Sequence, residues 1–410
     1  MITLRGYQIL AQIHDSSRSQ VYRGIRSSDQ KPVVIKLLKS EYPTFNELVQ
    51  FRNQYTITKN LDLAEIVKPI ALENYRNGFA LIMEDFNGIS LQEEMRRFTD
   101  GGMGQSFDSL NKFFNIAIQV VQTLERLNRN RIIHKDIKSQ NILIHPQTQQ
   151  VKLIDFSIAS LLPKENQEII NPNVLEGTLT YMSPEQTGRM NRGIDYRTDF
   201  YSLGVTFYEL LTGQLPFRSN DPMEVVHCHI AKIPTPPIEL VPTIPKAVSD
   251  IVMKLMAKTA EERYQSAFGL RLDLETCWQQ WQEKGSINQF PLGERDICDR
   301  FVIPEKLYGR EAEVATLLAA FDRIARTEGE GEGEWESGKF SIQNPRSKIE
   351  MMLVAGFSGI GKTAVVNEVH KPIVQQRGYF IKGKFDQFKR DIPFSAWVQA
   401  FQNLMQQLLT

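Results

Sequence analysis

The sequence predicts an α+β fold in two lobes, followed by the start of an α/β unit, and three stretches predict it. The first is Lys31-Pro32-Val33-Val34-Ile35-Lys36-Leu37-Leu38, an apolar strand interrupted by one lysine. The second is Ile132-Ile133-His134-Lys135-Asp136-Ile137-Lys138-Ser139-Gln140-Asn141, with Asp155-Phe156-Ser157 downstream. The third is Gly356-Phe357-Ser358-Gly359-Ile360-Gly361-Lys362-Thr363, between an apolar run and a helical pattern. A lysine inside a strand is costly unless paired. Two aspartates and an asparagine at this spacing suit proton handling and metal ligation. G-x-x-x-x-G-K-T gathers backbone N–H groups and a lysine at a helix N-terminus, where phosphate binds.

Length and composition allow this. A chain of 410 residues is long enough for two or three domains. Lys and Arg together number 48, as do Asp and Glu, so no strong field points to nucleic acid or an acidic membrane surface. Cys228, Cys277 and Cys298 are odd in number and widely spaced, which argues against a disulfide framework and fits a reducing compartment. Met1 to Gly6 opens no apolar leader, and no run approaches the roughly 20 apolar residues of a membrane helix. The expectation is a cytoplasmic protein with no membrane segment.

In order along the chain, Tyr7 to Gly24 reads as a hairpin around a polar turn, and Lys31 to Leu38 as the next strand. Thr44 to Leu61 reads as a helix with apolar positions at Phe51, Tyr55, Ile57 and Leu61. Phe79 to Gly88 is a strand running into a linker, and Leu110 to Arg129 is an amphipathic helix. His227-Cys228-His229 diverge on one helix and read as core or surface positions, not as a metal site.

From Tyr7 to Trp281 these stretches resemble the eukaryotic-type protein kinases, whose patterns are H-R-D-x-K-x-x-N and D-F-G. The resemblance extends to Glu176 through Glu185 and to Asp199 through Gly204. It implies a two-lobed protein kinase fold over residues 7–281, with ATP and Mg²⁺ as cofactors and protein Ser/Thr hydroxyls as acceptors. Asp136 would meet the substrate hydroxyl, and Lys138 would steady the transferred phosphoryl group. Asn141 and Asp155 would bind Mg²⁺. Ile13, Val21, Lys36, Met83, Glu84 and Phe86 would surround ATP, with Lys36 on its α- and β-phosphates. Thr178 would contact Asp136 and Lys138, Asp199 would brace the catalytic loop, and Glu185 would pair with Arg263 in a structural role.

Several positions depart from the family pattern. His14, Ser16 and Ser19 stand where three loop glycines are expected, so this loop should approach phosphates less closely. Gln54 stands where a glutamate would pair with Lys36, leaving Gln54 as an uncharged partner or shifting the role to Glu47 on the same helical face. Ser157 follows Asp155-Phe156 in place of glycine and should resist positive φ. Lys135 replaces the arginine that grips a loop phosphate in many relatives, and a lysine lacks the bidentate fork. The missing loop glycines, Gln54 and Ser157 support the rival reading, a nucleotide-binding pseudokinase or regulatory scaffold acting with the P-loop module. Lys36, Asp136, Asn141 and Asp155 are all present, which favours catalysis.

Residues 282–304 read as a linker. Residues 305–410 read as the N-terminal part of an α/β P-loop NTPase domain of the AAA type, cut short, with an acidic glycine-alternating loop at 327–340. Within it Lys348 to Ala355 reads as a strand and Ala364 to Val369 as a helix. Gly356, Gly359 and Gly361 would cradle phosphate, Lys362 would reach the β/γ-phosphates, and Thr363 would ligate Mg²⁺. Kinase, then Tyr308-Gly309-Arg310-Glu311-Ala312-Glu313, then the P-loop and Gly383-Lys384-Phe385-Asp386-Gln387, resembles the opening of large bacterial (cyanobacterial-type) signalling proteins. That resemblance implies sensor or histidine-kinase modules as partners within a longer protein.

Leu161 through Gly177 contains no Ser, Thr or Tyr. Activity is therefore expected to need no phosphate in that segment. A phosphopeptide map that places an activity-controlling phosphate elsewhere in the loop, at Ser160 or Thr180, would count against a loop that is not switched by phosphorylation.

Overall fold

A computed structural model describes residues 3–100, 107–161, 177–188, 193–297, 309–325, 349–357, 362–367, 381–383 and 394–408. The N-terminal lobe is an antiparallel sheet of β1 (Tyr7–Asp15), β2 (Ser19–Arg26), β3 (Pro32–Leu38), β4 (Pro69–Tyr75) and β5 (Gly78–Glu84), in the order β1-β2-β3-β5-β4. Alternation along β3 buries Val33, Ile35 and Leu37 on one face with Tyr22, Ala80 and Ile82. Lys36 therefore falls on the opposite face, in register with Val21 on β2 and Leu81 on β5. The single helix of this lobe, α1 (Phe45–Thr58), packs on that face through Phe51, beside Leu81 and Met83.

Thr44 caps α1, and Glu47 completes a capping box. The Thr44 Oγ1 accepts from the Glu47 N–H at 3.3 Å, and Glu47 Oε2 accepts from the Thr44 N–H at 2.8 Å. This corrects the alternative in which Glu47 takes the role of Gln54. Its carboxylate is spent on the helix N-terminus, where orphan donors and the helix dipole both favour it.

Residues 65–67 strap the sheet to the second lobe: the Leu153 N–H donates to Glu65 O at 2.9 Å and the Val67 N–H to Leu153 O at 3.1 Å. That lobe begins with β6 (Ile89–Ser90), α2 (Leu91–Asp100) and α3 (Phe107–Arg129). Short strands β7 (Ile132–Ile133), β8 (Ile142–Ile144), β9 (Val151–Leu153) and β10 (Ser160–Leu161) then frame the candidate site, with β10 paired to β7. Helices α4 (Arg197–Thr212), α5 (Pro222–Ala231), α6 (Pro237–Leu240), α7 (Lys246–Leu255) and α8 (Ala267–Lys284) complete it. α4 is buried on every side from Arg197 to Glu209, as a central helix must be. At Gly204 a Cβ would lie 2.7 Å from the Leu255 Cβ, so glycine sets how closely α4 and α7 approach.

The segment read as a linker is part of this lobe over its first half. Ile287, Phe290 and Leu292 pack on the core. Asp296 accepts from the Gln265 and Ser266 N–H groups at 2.6 and 2.8 Å and from the Ser266 hydroxyl at 2.7 Å. Gly269 of α8 makes room, since a Cβ there would meet Asp296 at 2.5 Å. Residues 298–304 lie outside the described residues.

Beyond them are α9 (Glu311–Ala325), α10 (Lys362–Asn367) and α11 (Ser395–Leu408). No strand forms over the described residues 349–357, which corrects the reading of Lys348 to Ala355 as a strand. Ile349, Met351 and Leu353 are almost fully exposed. An apolar run becomes a strand only where a neighbour completes its hydrogen bonds, and none does so among the described residues.

Deep in the second lobe, Arg263 meets Glu185 through two bonds of 2.6 and 2.9 Å, and Thr198 Oγ1 donates to Glu185 at 2.8 Å. Burial works against ionisation of Glu185, but Arg263 and these bonds hold its carboxyl down at about 2. Because this folded-state value lies below the ordinary 4.5, the stabilisation is complete above the ordinary value and lost as pH falls toward 2. Glu185→Gln strands a buried guanidinium and is expected to cost about 3–5 kcal/mol at neutral pH. Urea denaturation should show that deficit shrinking as pH falls from 5 toward 2.

Candidate active site

Two polar groups meet at the junction of the lobes. In the first, the Lys36 ammonium on β3 donates to Gln54 Oε1 of α1 at 3.1 Å and pairs with Asp155 at 3.0 Å. The Gln54 Nε2 in turn donates to the Met83 sulfur at 3.7 Å. Gln54 is buried, so its amide is satisfied at both ends by the lysine and the thioether. Burial opposes ionisation of Asp155, yet the Lys36 charge beside it and a bond from Ser157 hold its carboxyl down at about 2.

The positive φ near this turn falls on Asp155, at 64°, and not on Ser157. Ser157 carries no positive φ, and its hydroxyl serves Asp155. Phe156 is buried beneath His134, ring centroids 4.6 Å apart. His134 contacts Ile154 O through Nε2 at 3.0 Å and accepts from the Asp136 N–H through Nδ1 at 3.3 Å, so the ring is a brace.

The second group surrounds Asp136. Its Oδ1 accepts from the Thr178 N–H at 3.1 Å and the Thr178 hydroxyl at 2.9 Å. Its Oδ2 accepts from Lys138 Nζ at 2.6 Å and Asn141 Nδ2 at 2.9 Å. Lys138 Nζ also reaches Thr178 Oγ1 at 2.6 Å, and Asn141 Nδ2 reaches Asp136 O at 2.9 Å. Asp199 holds the loop from below, accepting from the His134 and Lys135 N–H groups, each at 2.8 Å. Burial pushes the Asp199 carboxyl up against those bonds.

The other sequence candidates are placed as follows. Val21 lies across from Lys36, and Ile13 is about half exposed on β1. The Glu84 carboxylate pairs with Lys152, whose ammonium sits 4.9 Å over the Phe86 ring. Arg23 braces the same junction through Asp85 at 2.6 Å. Glu185 and Arg263 sit apart from both polar groups, in the core of the lobe. Lys362 Nζ donates to Gly356 O and Phe357 O, each at 2.7 Å, with Thr363 next in α10. Gly359 and Gly361 lie outside the described residues.

Two contributors were not singled out in the sequence. The Gln186 Nε2 donates to Lys135 O at 2.8 Å, tying the segment after Thr178 to the loop at 134–141. The Asn53 amide donates to Ser157 O at 3.1 Å and Ala159 O at 2.8 Å. Asn53 lies directly before Gln54, and its only sequence signal was that position.

Residues fit a hard cation. Asp155 is held ionised, and its Oδ1 makes the Lys36 ion pair but no hydrogen bond. Both N–H contacts of Asn141 point to Asp136, which turns its amide oxygen elsewhere. A carboxylate and an amide oxygen are the ligand types magnesium takes.

Residues 7–271 match the family described as the protein kinase domain, and residues 341–410 match the AAA ATPase domain. The hybrid signal transduction histidine kinase G of Dictyostelium discoideum is 30% identical over 388 residues, covering 73% of this chain and 11% of that protein. A probable serine/threonine-protein kinase of Clostridium perfringens is 32% identical over 270 residues, 66% of this chain and 38% of its own length. Serine/threonine-protein kinase PrkC of Bacillus subtilis is 29% identical over 331 residues, 80% of this chain and 46% of its own. The chain thus spans less than half the length of each of these relatives.

Removing the Gln54 amide tests the first polar group. Gln54→Leu takes away a hydrogen bond to a charged group, worth about 1.5–3 kcal/mol. ATP affinity, measured by calorimetry, is expected to fall about tenfold or more. Unchanged affinity would mean that Asp155 alone positions Lys36.

Proposed function

The chain belongs to the protein kinase domain family, and from that premise we propose that it transfers the ATP γ-phosphate to serine and threonine hydroxyls of proteins. The observation that carries this reading is the closed arrangement of Asp136, Lys138, Asn141 and Thr178. Each Asp136 oxygen accepts two hydrogen bonds, Oδ2 from Lys138 and Asn141 and Oδ1 from the Thr178 N–H and hydroxyl. The carboxylate is thus fixed in place to meet an incoming hydroxyl. As the substrate oxygen bonds to phosphorus and the bond to ADP breaks, the hydroxyl proton passes to Asp136. Lys138, already between Asp136 and Thr178, steadies the phosphoryl group in transit. When bound with ATP, Mg²⁺ held by Asn141 and Asp155 supplies neutralisation of phosphate charge. Relatives named as serine/threonine-protein kinases support the acceptor class.

The proposed kinase domain spans 7–281, with residues up to Asp296 packed on it, and an ATPase unit is proposed over 305–410. The ATPase match and the histidine kinase relative support membership of a longer signalling protein with sensor modules. Among the described residues no helix is long and apolar enough to cross a membrane.

The test is transfer of labelled phosphate from ATP–Mg²⁺ to the protein itself and to a basic substrate. Asp136→Asn is expected to lower transfer about 10²–10⁴-fold, and Lys362→Ala to leave it unchanged. Label that survives Asp136→Asn would sink the reading. No transfer in the parent, with ATP bound in a Lys36-dependent way, would favour a nucleotide-binding scaffold instead.

A further inference from the structure

Consecutive residues of α1 hold opposite walls of the site. Gln54 holds Lys36 and Met83, while Asn53 holds the backbone of Ser157 and Ala159. Both carbonyls belong to a turn closed on itself, because the Ala159 N–H donates to Phe156 O at 3.2 Å. Asn53 thus grips the middle and the far end of a compact turn that directly follows Asp155, which faces Lys36. Asparagine is suited to this: one NH₂ carries two donors, and two carbonyls accept them. Neither grip of α1 involves a charge on the helix side.

We propose that Asn53 is a positioning residue for Asp155, locking the turn at 155–159 to α1 so that both contacts of the helix form or break together. The inference rests on the kinase reading for its catalytic meaning but not for its structural one. A helix movement that freed Lys36 from Gln54 would also release the turn. The backbone of Asp155, strained at φ 64°, is the element such a release would relax.

The experiment uses the full chain with Asn53→Asp and Asn53→Leu. Both are close in size to asparagine, and both lack the N–H donors. In nucleotide-free protein, amide hydrogen exchange at 156–160 is expected to rise about tenfold in both variants, reflecting two lost hydrogen bonds. Exchange in α1 and the melting temperature should change little. In phosphoryl transfer, kcat should fall about tenfold with KM for the protein substrate unchanged. Unaltered exchange at 156–160 overturns the proposal. So does a rise spread evenly along α1 with a large loss of melting temperature, which would make Asn53 merely a helix-packing residue. The exchange result does not depend on catalysis. If it appears while the parent transfers no phosphate, the lock stands and the kinase reading fails.

Discussion

The Lys36 ammonium sits where three elements meet: β3, which carries it, α1, which offers Gln54, and the turn after β9, which offers Asp155. A lysine on a half-buried strand face must find partners or lose its charge. Here one partner is ionic and the other is a neutral amide. That division makes the junction asymmetric. The ionic half crosses from one lobe to the other, while the half within the N-terminal lobe is a directional, charge-assisted hydrogen bond to a neutral amide. The sheet, α1 and the Asp155 turn are aligned with one another because one cation satisfies itself against all of them.

Below this junction the catalytic loop is held by buried groups with complete partners. Asp199 receives two backbone N–H groups, Gln186 binds the Lys135 carbonyl, and Tyr181 donates to Glu209 at 2.6 Å. Each of these would be expensive if left half made. Fully made, they fix backbone positions, so the small set of groups around Asp136 has a rigid floor. Positive φ at Lys135 and Asp155 marks where that floor bends the chain into uncommon conformations.

Much of this was legible in the sequence, because polar residues inside apolar runs carry their spacing with them. Lys36 in its strand, Asp136 and Asn141 in their loop, and the Glu185 and Arg263 pair are such cases. Gln54 could be placed by counting along its helix. Glu47 was misjudged by helical facing alone, although Thr44-x-x-Glu47 is itself a capping pattern. Asn53 and Gln186 act on backbone carbonyls, whose positions depend on the assembled fold and leave no mark in local sequence. The apolar run at 349–355 shows the reverse limit. Hydrophobicity and β-propensity were present, but strand formation depends on a neighbour that no local pattern supplies.

Asp296 has a mechanical meaning. Its carboxylate caps the backbone ahead of α8, and Gly269 leaves the hole that seats it. The lobe therefore extends to Asp296, past the end of α8. Any pull on the chain beyond Asp296 acts first on a carboxylate seated against α8.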